Sequence, residues 1–230
     1  MRSTARWVGM LALLLPASAT GLTIDAFSDG DFSATDLGGG GFVLSTQTGV
    51  SALGGVRESV VTAQSTASES GTLSVGSGVS TVSSAASTTE ARWIYDGIDN
   101  VGNSGTLGAL AVDLTAGGGD RFQIDVTSIV GSVFFRVLVF DSSGSSTSTF
   151  HAVSATGVEE IPFSEISTDL TDVRALELAV FAVGNGESVT LDSFTTNSVI
   201  PEPATALLLA SALTALAASR RGPTRQWRRE

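Results

Sequence analysis

The sequence predicts an all-β protein, and three observations lead there. Apolar and polar residues alternate with period two in several stretches, those stretches are short and evenly spaced, and Gly, Ser and Asn punctuate them throughout. Many short strands joined by such turns read as a β-sandwich or barrel. The first strand candidates are residues 57–64, 72–75, 79–85 and 91–95. Two of them lie in a Ser/Thr/Ala-rich stretch, residues 62–89, whose low complexity also fits a disordered linker. Leu73, Val75, Val79 and Val82 are spaced for edge strands, and a linker inside one sandwich is unusual, so the stretch is kept in the fold. A further candidate covers residues 107–114. Phe122, Ile124 and Val126 then alternate with Gln123 and Asp125, as a half-buried strand requires. SVFFRVLVF, residues 132–140, is a nearly continuous apolar run ending in Asp141-Ser142-Ser143-Gly144, which predicts a central strand entering a turn, with STSTF as the returning strand. Residues 158–163 follow as another strand.

STDLTDVRALELAVFAV, residues 167–183, is ambiguous, because its capping-type start and good helix formers permit a helix. Leu176, Leu178 and Val180 alternate with Glu177 and Ala179 and lead into Gly184-Asn185-Gly186. The expectation is therefore a short turn, a strand over 175–183 and a hairpin-like turn after it. Val189 and Leu191, alternating with Thr190 and Asp192, supply the last strand.

The two ends of the chain belong to another class of segment. Residues 1–19 carry Arg2 and Arg6, an uncharged apolar stretch, then Pro16 and Ala17-Ser18-Ala19, the three-part layout of a secretory signal peptide handled by the Sec translocon, with cleavage expected after Ala19. Residues 20–198 remain as the β-sandwich domain and residues 199–230 as a tail. Within the tail, residues 204–219 are uncharged and rich in Leu and Ala. As a helix they reach about 24 Å, at the short edge of what spans a hydrocarbon core of about 30 Å. Residues 220–230 hold Arg220, Arg221, Arg225, Arg228 and Arg229, which by the positive-inside bias stay cytoplasmic while the preceding domain is exported.

Pro201-Glu202-Pro203, a short apolar helix and an Arg cluster opened by Arg220 and Arg221 closely resemble the PEP-CTERM sorting signal of Gram-negative bacteria. That resemblance implies an exosortase-type membrane protease as partner, transient anchoring in the inner membrane and delivery to the cell surface or extracellular matrix. Pro201 and Pro203 hold the chain extended beside the membrane, where a protease reaches it. The alternative is a permanent C-terminal anchor. A tail of this kind also goes under the name ice-binding protein C-terminal domain, a label for the tail and not for an activity of the domain.

Composition limits what the domain does. It keeps Arg57, Arg92, Arg121, Arg136 and Arg174 against twenty-one acidic residues, a net charge near −16, with no lysine in the chain. Such a charge repels nucleic acid and anionic membrane and favours solubility or cation binding. The absence of cysteine excludes a disulfide scaffold, a zinc-thiolate site and a cysteine nucleophile. His151 is the lone histidine, no serine sits in a nucleophile motif, and Gly38–Gly41 and Gly117–Gly119 lack the Lys of a phosphate-binding loop. His151 reads best as a strand residue facing solvent or a neighbour. Carboxylates abound, yet nothing pairs two of them as a glycosidase requires.

LTIDAFSDGDF, GGVRESVV, RWIYDGID, IPFSEI and VTLDSF together resemble the jelly-roll domains of exported PEP-CTERM proteins, similar to galactose-binding-like and carbohydrate-binding modules. The implied fold is a jelly-roll β-sandwich. The resemblance also implies a structural calcium joining the first and last strands, with Asp25 and Asp192 as ligands and Asp29 and Asp31 as added oxygen donors. Sugar binding calls for an aromatic platform, and Trp93 and Tyr95, alternating with Ile94, share one sheet face. They form such a platform or fill the core, the commoner role of large aromatics. The preferred reading is a non-enzymatic surface or matrix protein that interacts with carbohydrate such as exopolysaccharide. A purely structural or adhesive protein and, third, a glycan hydrolase are the alternatives. Ice binding ranks below these, since Thr-x-Thr at Thr46–Thr48 and Thr147–Thr149 is not a sustained array.

Overall fold

The computed structural model describes residues 21–64, 69–86, 88–97 and 108–197. Among them, fourteen strands form two seven-stranded antiparallel sheets. The first sheet contains β1 (Thr23–Asp25), β2 (Phe32–Asp36), β5 (Gly71–Gly76), β6 (Val79–Ser84), β8 (Arg121–Val130), β12 (Gly157–Pro162) and β14 (Ser188–Thr196). The second contains β3 (Val43–Thr48), β4 (Val56–Ala63), β7 (Thr89–Tyr95), β9 (Val133–Phe140), β10 (Ser145–Thr147), β11 (His151–Val153) and β13 (Ala175–Ala182). The order is β12-β8-β14-β6-β5-β2 in the first, with β1 also on β14, and β10-β9-β13-β7-β4-β3 in the second, with β11 also on β9. This is the expected jelly-roll β-sandwich. No helix among the described residues is long and apolar enough to cross a membrane, and residues 1–19 and 199–230, with the expected signal peptide and sorting tail, lie outside them.

Alternation explains the two layers. Phe122, Ile124 and Val126 on β8 and Val189, Leu191 and Phe194 on β14 point inward and meet Val133, Phe135, Val137 and Val139 on β9 and Leu176, Leu178 and Val180 on β13, all buried in one core. Burying side chains of this size contributes about 1.5–3 kcal/mol each. Aromatic rings add to the core, with Phe122 edge-on to Phe163 at 4.8 Å and Phe27 against Trp93 at 5.7 Å. The stretch 167–183 is a turn followed by β13, as alternation predicts, and Asp169 Oδ1 accepts from the Thr171 amide and hydroxyl in that turn.

Four expectations change. β5 and β6 are interior strands, flanked by β2 and β14, because Leu73, Val75 and Val82 are needed inside the core. Of the strand expected over 107–114, the described residues 108–114 keep one bridge, Val112 to Val173, since the Asp96 carbonyl captures the Ala109 and Leu110 amides and folds the chain back there. Gly184-Asn185-Gly186 joins two sheets and not a hairpin. β13 already has β7 and β9 on its two sides, so the chain must cross, and Gly186 at φ 87° turns it while its amide donates to Ser84 O in the first sheet. The strand returning after Gly144 is split into β10 and β11 by Ser148, whose side-chain oxygen accepts from the Val137 amide that a regular ladder would use otherwise.

The expected turn at Asp141–Gly144 is present, and Asp141 organises it. Its Oδ1 accepts from the Ser143 amide and hydroxyl and the Gly144 amide, while Oδ2 accepts from the Asp169 amide at 2.8 Å. These bonds, that of Asp169 foremost, hold the Asp141 carboxyl down at about 2 and tie the β9–β10 turn to the approach to β13.

Candidate functional site

The structure brings the first and last strands together, as the calcium expectation requires, but turns Asp25 inward. β1 pairs with β14, and Asp25 is 1% exposed. Arg57 Nη1 donates to both Asp25 oxygens at 3.0 Å, the Tyr95 hydroxyl donates to Oδ2 at 3.1 Å and the Phe27 amide to Oδ1 at 2.7 Å. Arg57 is completed by Gln47 Oε1 at 2.8 Å and by the Asp29 and Gly30 carbonyls, and Gln47 Nε2 donates to the Gly30 carbonyl in turn. A guanidinium therefore stands where a metal ion was expected. Asp192 is exposed at the irregular register of β14, and the described residues hold no group of three or more acidic or histidine side chains able to bind a metal. Asp29 serves Ser51 instead, accepting from its hydroxyl at 2.6 Å and its amide at 2.9 Å, and the hydroxyl bond foremost holds its carboxyl below the usual range. Asp31 is an exposed residue before β2.

Trp93 and Tyr95 share a face, as alternation predicts, and that face is the core. Both are 0% exposed, so neither forms a ligand platform. Burial, and then the charge of Asp25, pushes the Tyr95 hydroxyl well up, which keeps it a donor to Asp25.

A cluster of three phenylalanines, Phe150 among them exposed, lies on the opposite, outer face of the second sheet. Phe134 and Arg136 on β9 point away from the core because Phe135 and Val137 fill it, and Phe181 on β13 stands directly opposite Phe134. Phe150, between β10 and β11, is 54% exposed and meets Phe181 edge-on with centroids 5.3 Å apart. Phe134, Phe150, Phe181 and Val183 line a shallow depression of about 320 Å3. The Arg136 guanidinium lies 5.1 Å from the Phe150 centroid and 5.4 Å from that of Phe181, so the rings hold it by cation–π contact. Large apolar side chains gathered on an outer face carry a free-energy cost in water that a ligand relieves.

Further along the same face, Arg136 opposes Ala179, which opposes Arg92 on β7. Arg92 lies 3.7 Å from Glu90 and 3.7 Å from Glu177. Glu58 and Glu177 flank Ile94 in the next row and are buried. The outer face of the first sheet is different in kind. There Thr35 meets Thr72 and Thr81 meets Thr190, hydroxyl to hydroxyl at 3.1 Å. Thr46–Thr48 sits on β3 and Thr147–Thr149 begins at the end of β10 and runs past it, at opposite edges of the second sheet, so the two make no array.

His151 faces neighbours. Its Nδ1 is 3.1 Å from Glu159 Oε1 and its Nε2 3.1 Å from Glu165 Oε1, which links β11 to β12 and to the turn Phe163–Glu165. Burial works against ionisation of Glu165, but the Thr149 hydroxyl and amide and His151 outweigh it and hold that carboxyl below the usual range. With both ring nitrogens engaged, His151 is not placed as a base for a serine.

Neither Phe150 nor Phe181 was singled out from sequence. The legible signal was Arg136, a charge inside an apolar run, which marks the outward side of β9. The sorting residues Pro201, Glu202, Pro203, Arg220 and Arg221 lie outside the described residues.

No family model and no curated protein matches the chain. Solved structures do. The solution structure of CtCBM11 is 16% identical, with 80% of this chain and 98% of that one covered and a TM-score of 0.38. The family 11 carbohydrate-binding module from Clostridium thermocellum, in complex with a β-1,3-1,4-mixed-linked tetrasaccharide, is 14% identical over 79% and 99% of the two chains, TM-score 0.38. The C-terminal family 22 carbohydrate-binding module of Clostridium thermocellum Xyn10B is 12% identical over 80% and 98%, TM-score 0.33. These are likenesses of architecture, and the ligands named for those modules are theirs.

Proposed function

We propose that the chain is an exported, non-enzymatic protein of the cell surface or extracellular matrix, and that its β-sandwich holds polysaccharide on the outer face of the second sheet. The observation that carries the reading is the aromatic depression formed by Phe134, Phe150, Phe181 and Val183 beside Arg136. The C–H faces of sugar rings stack on aromatic rings, and a shallow site on a sheet admits a chain that extends beyond it on both sides. Export rests on the N-terminal segment, and sorting by an exosortase-type protease rests on Pro201-Glu202-Pro203 and the arginines that follow the apolar segment.

Affinity electrophoresis of the full-length protein in gels cast with matrix polysaccharide tests the binding half. The expected result is retardation of the wild type and at least a tenfold loss of affinity in F150A/F181A, about 1.4 kcal/mol. The variant keeps its far-ultraviolet circular dichroism, because both rings lie outside the core, and the wild type releases no reducing ends. Unretarded wild type leaves a purely structural surface protein as the reading. Released reducing ends favour the hydrolase. For the other half, the intact mass of protein recovered from its host is expected to begin near Thr20 and end near Pro201–Pro203 when the protease is present. A tail retained in the membrane means a permanent anchor.

A further inference from the structure

We infer that the polysaccharide held on this face is an acidic one, and that Arg136 is the residue that reads its carboxylate. The inference rests on the platform reading and narrows its ligand class. Arg57, Arg92, Arg121 and Arg174 each have a carboxylate oxygen within 3.7 Å. Among the described residues, Arg136 has none, in a domain with about four acidic residues for each basic one. Acidic partners are plentiful, yet this guanidinium lies against two phenylalanine rings at the wall of the exposed depression.

Its Nε is buried without a hydrogen-bond partner. An unmet donor on a charged group carries a desolvation cost, and a ligand that supplies an acceptor removes it. The rings restrict the side chain in advance, so less conformational entropy is lost when it binds. A planar guanidinium matches a carboxylate better than it matches a hydroxyl, since two parallel N–H donors meet two oxygens. Uronic acids combine that carboxylate with a sugar ring able to stack on Phe150 and Phe181.

The overall negative charge does not prevent this. Over the outer face around Arg136 its neighbours are Phe134 and Leu138 on its own strand and Ala179 and Phe181 on the next. Glu177, one position diagonal on β13, stands 3.7 Å from Arg92 Nη1. Charges beyond about 8 Å are largely screened at physiological ionic strength, and Arg136 is the charged side chain in direct contact with the rings of the depression.

The test compares the full-length protein on polygalacturonate and alginate, and on each polymer after its carboxyl groups are reduced to alcohols, in 0.15 M salt. Binding to the acidic polymers is expected to be at least tenfold tighter than to their reduced forms. R136M keeps an apolar stem against the rings and is expected to bring acidic and reduced polymers to equal affinity. Independently of any variant, wild-type affinity for the acidic polymers is expected to fall as salt rises from 0.05 to 0.5 M, with the reduced polymers unaffected. Equal affinity for acidic and reduced polymers overturns the acid preference and leaves the aromatic platform standing. Failure of the wild type to bind any of the four overturns both.

Discussion

R57M unfolds with about 3–5 kcal/mol less stability than the wild type, the cost of removing one partner of a buried ion pair. Asp25 is 1% exposed and depends on Arg57 for two of its contacts, with Tyr95 and Phe27 supplying the rest. The methionine also frees the Asp29 and Gly30 carbonyls and Gln47 Oε1 from the bonds that fix the chain between β1 and β2. The pair joins β1 of the first sheet to β4 of the second, so the loss falls on the contact between the layers. D25N/R57M, which removes both charges, is expected to recover more than half of the deficit, since an isolated buried charge is what costs most. Urea unfolding at neutral pH measures both. An R57M midpoint equal to that of the wild type would mean that Asp25 finds water or another cation, and the central role of the pair would fall.

W93A is expected to lose about 3–5 kcal/mol by cavity formation. The ring is fully buried against Phe27 and lies opposite Ser59 on β4 and Leu178 on β13. Its indole nitrogen has no hydrogen-bond partner, so W93F, which deletes that polar group with a smaller loss of volume, is expected to cost well under half as much. Because the ring faces the core, its loss is expected to lower the unfolding midpoint while the polysaccharide affinity of the remaining folded protein stays within about twofold. Thermal unfolding followed by circular dichroism, with binding measured well below the transition, checks both.

Much of the fold was legible in sequence because alternation is a local signal. β4, β7, β8, β12, β13 and β14 lie within a few residues of where period two places them. β2 and β3 were not anticipated as strands, because FSATD and VLSTQT carry few apolar positions to count, and β1, three residues long, was expected only through the resemblance that puts a first strand at Asp25. They are strands because β5 and β4 present free edges to β2 and β3, and because β14 runs past β6 and leaves Phe194 and Thr195 for β1. The candidate site was less legible. SVFFRVLVF reads as a run buried on both sides, yet Phe134 and Arg136 face outward and are only partly buried. Residues 57–64 read as a strand, but nothing local says that Arg57 faces the core, where Asp25, 32 positions away, holds it.

The sequence by itself determined the all-β class, the approximate strands, the turn at Asp141–Gly144, and the fact that Trp93 and Tyr95 share a face. Each depends on residues close together in the chain. Only the tertiary structure decided which face that was, that Asp25 is paired with Arg57, and that Phe150 completes a patch with Phe134 and Phe181. The reason is physical: period two separates two sides of a strand without saying which is wet. That choice is made when a second sheet covers one of them, and when residues 31 or more positions apart, such as Phe150 and Phe181, are brought together by strand pairing.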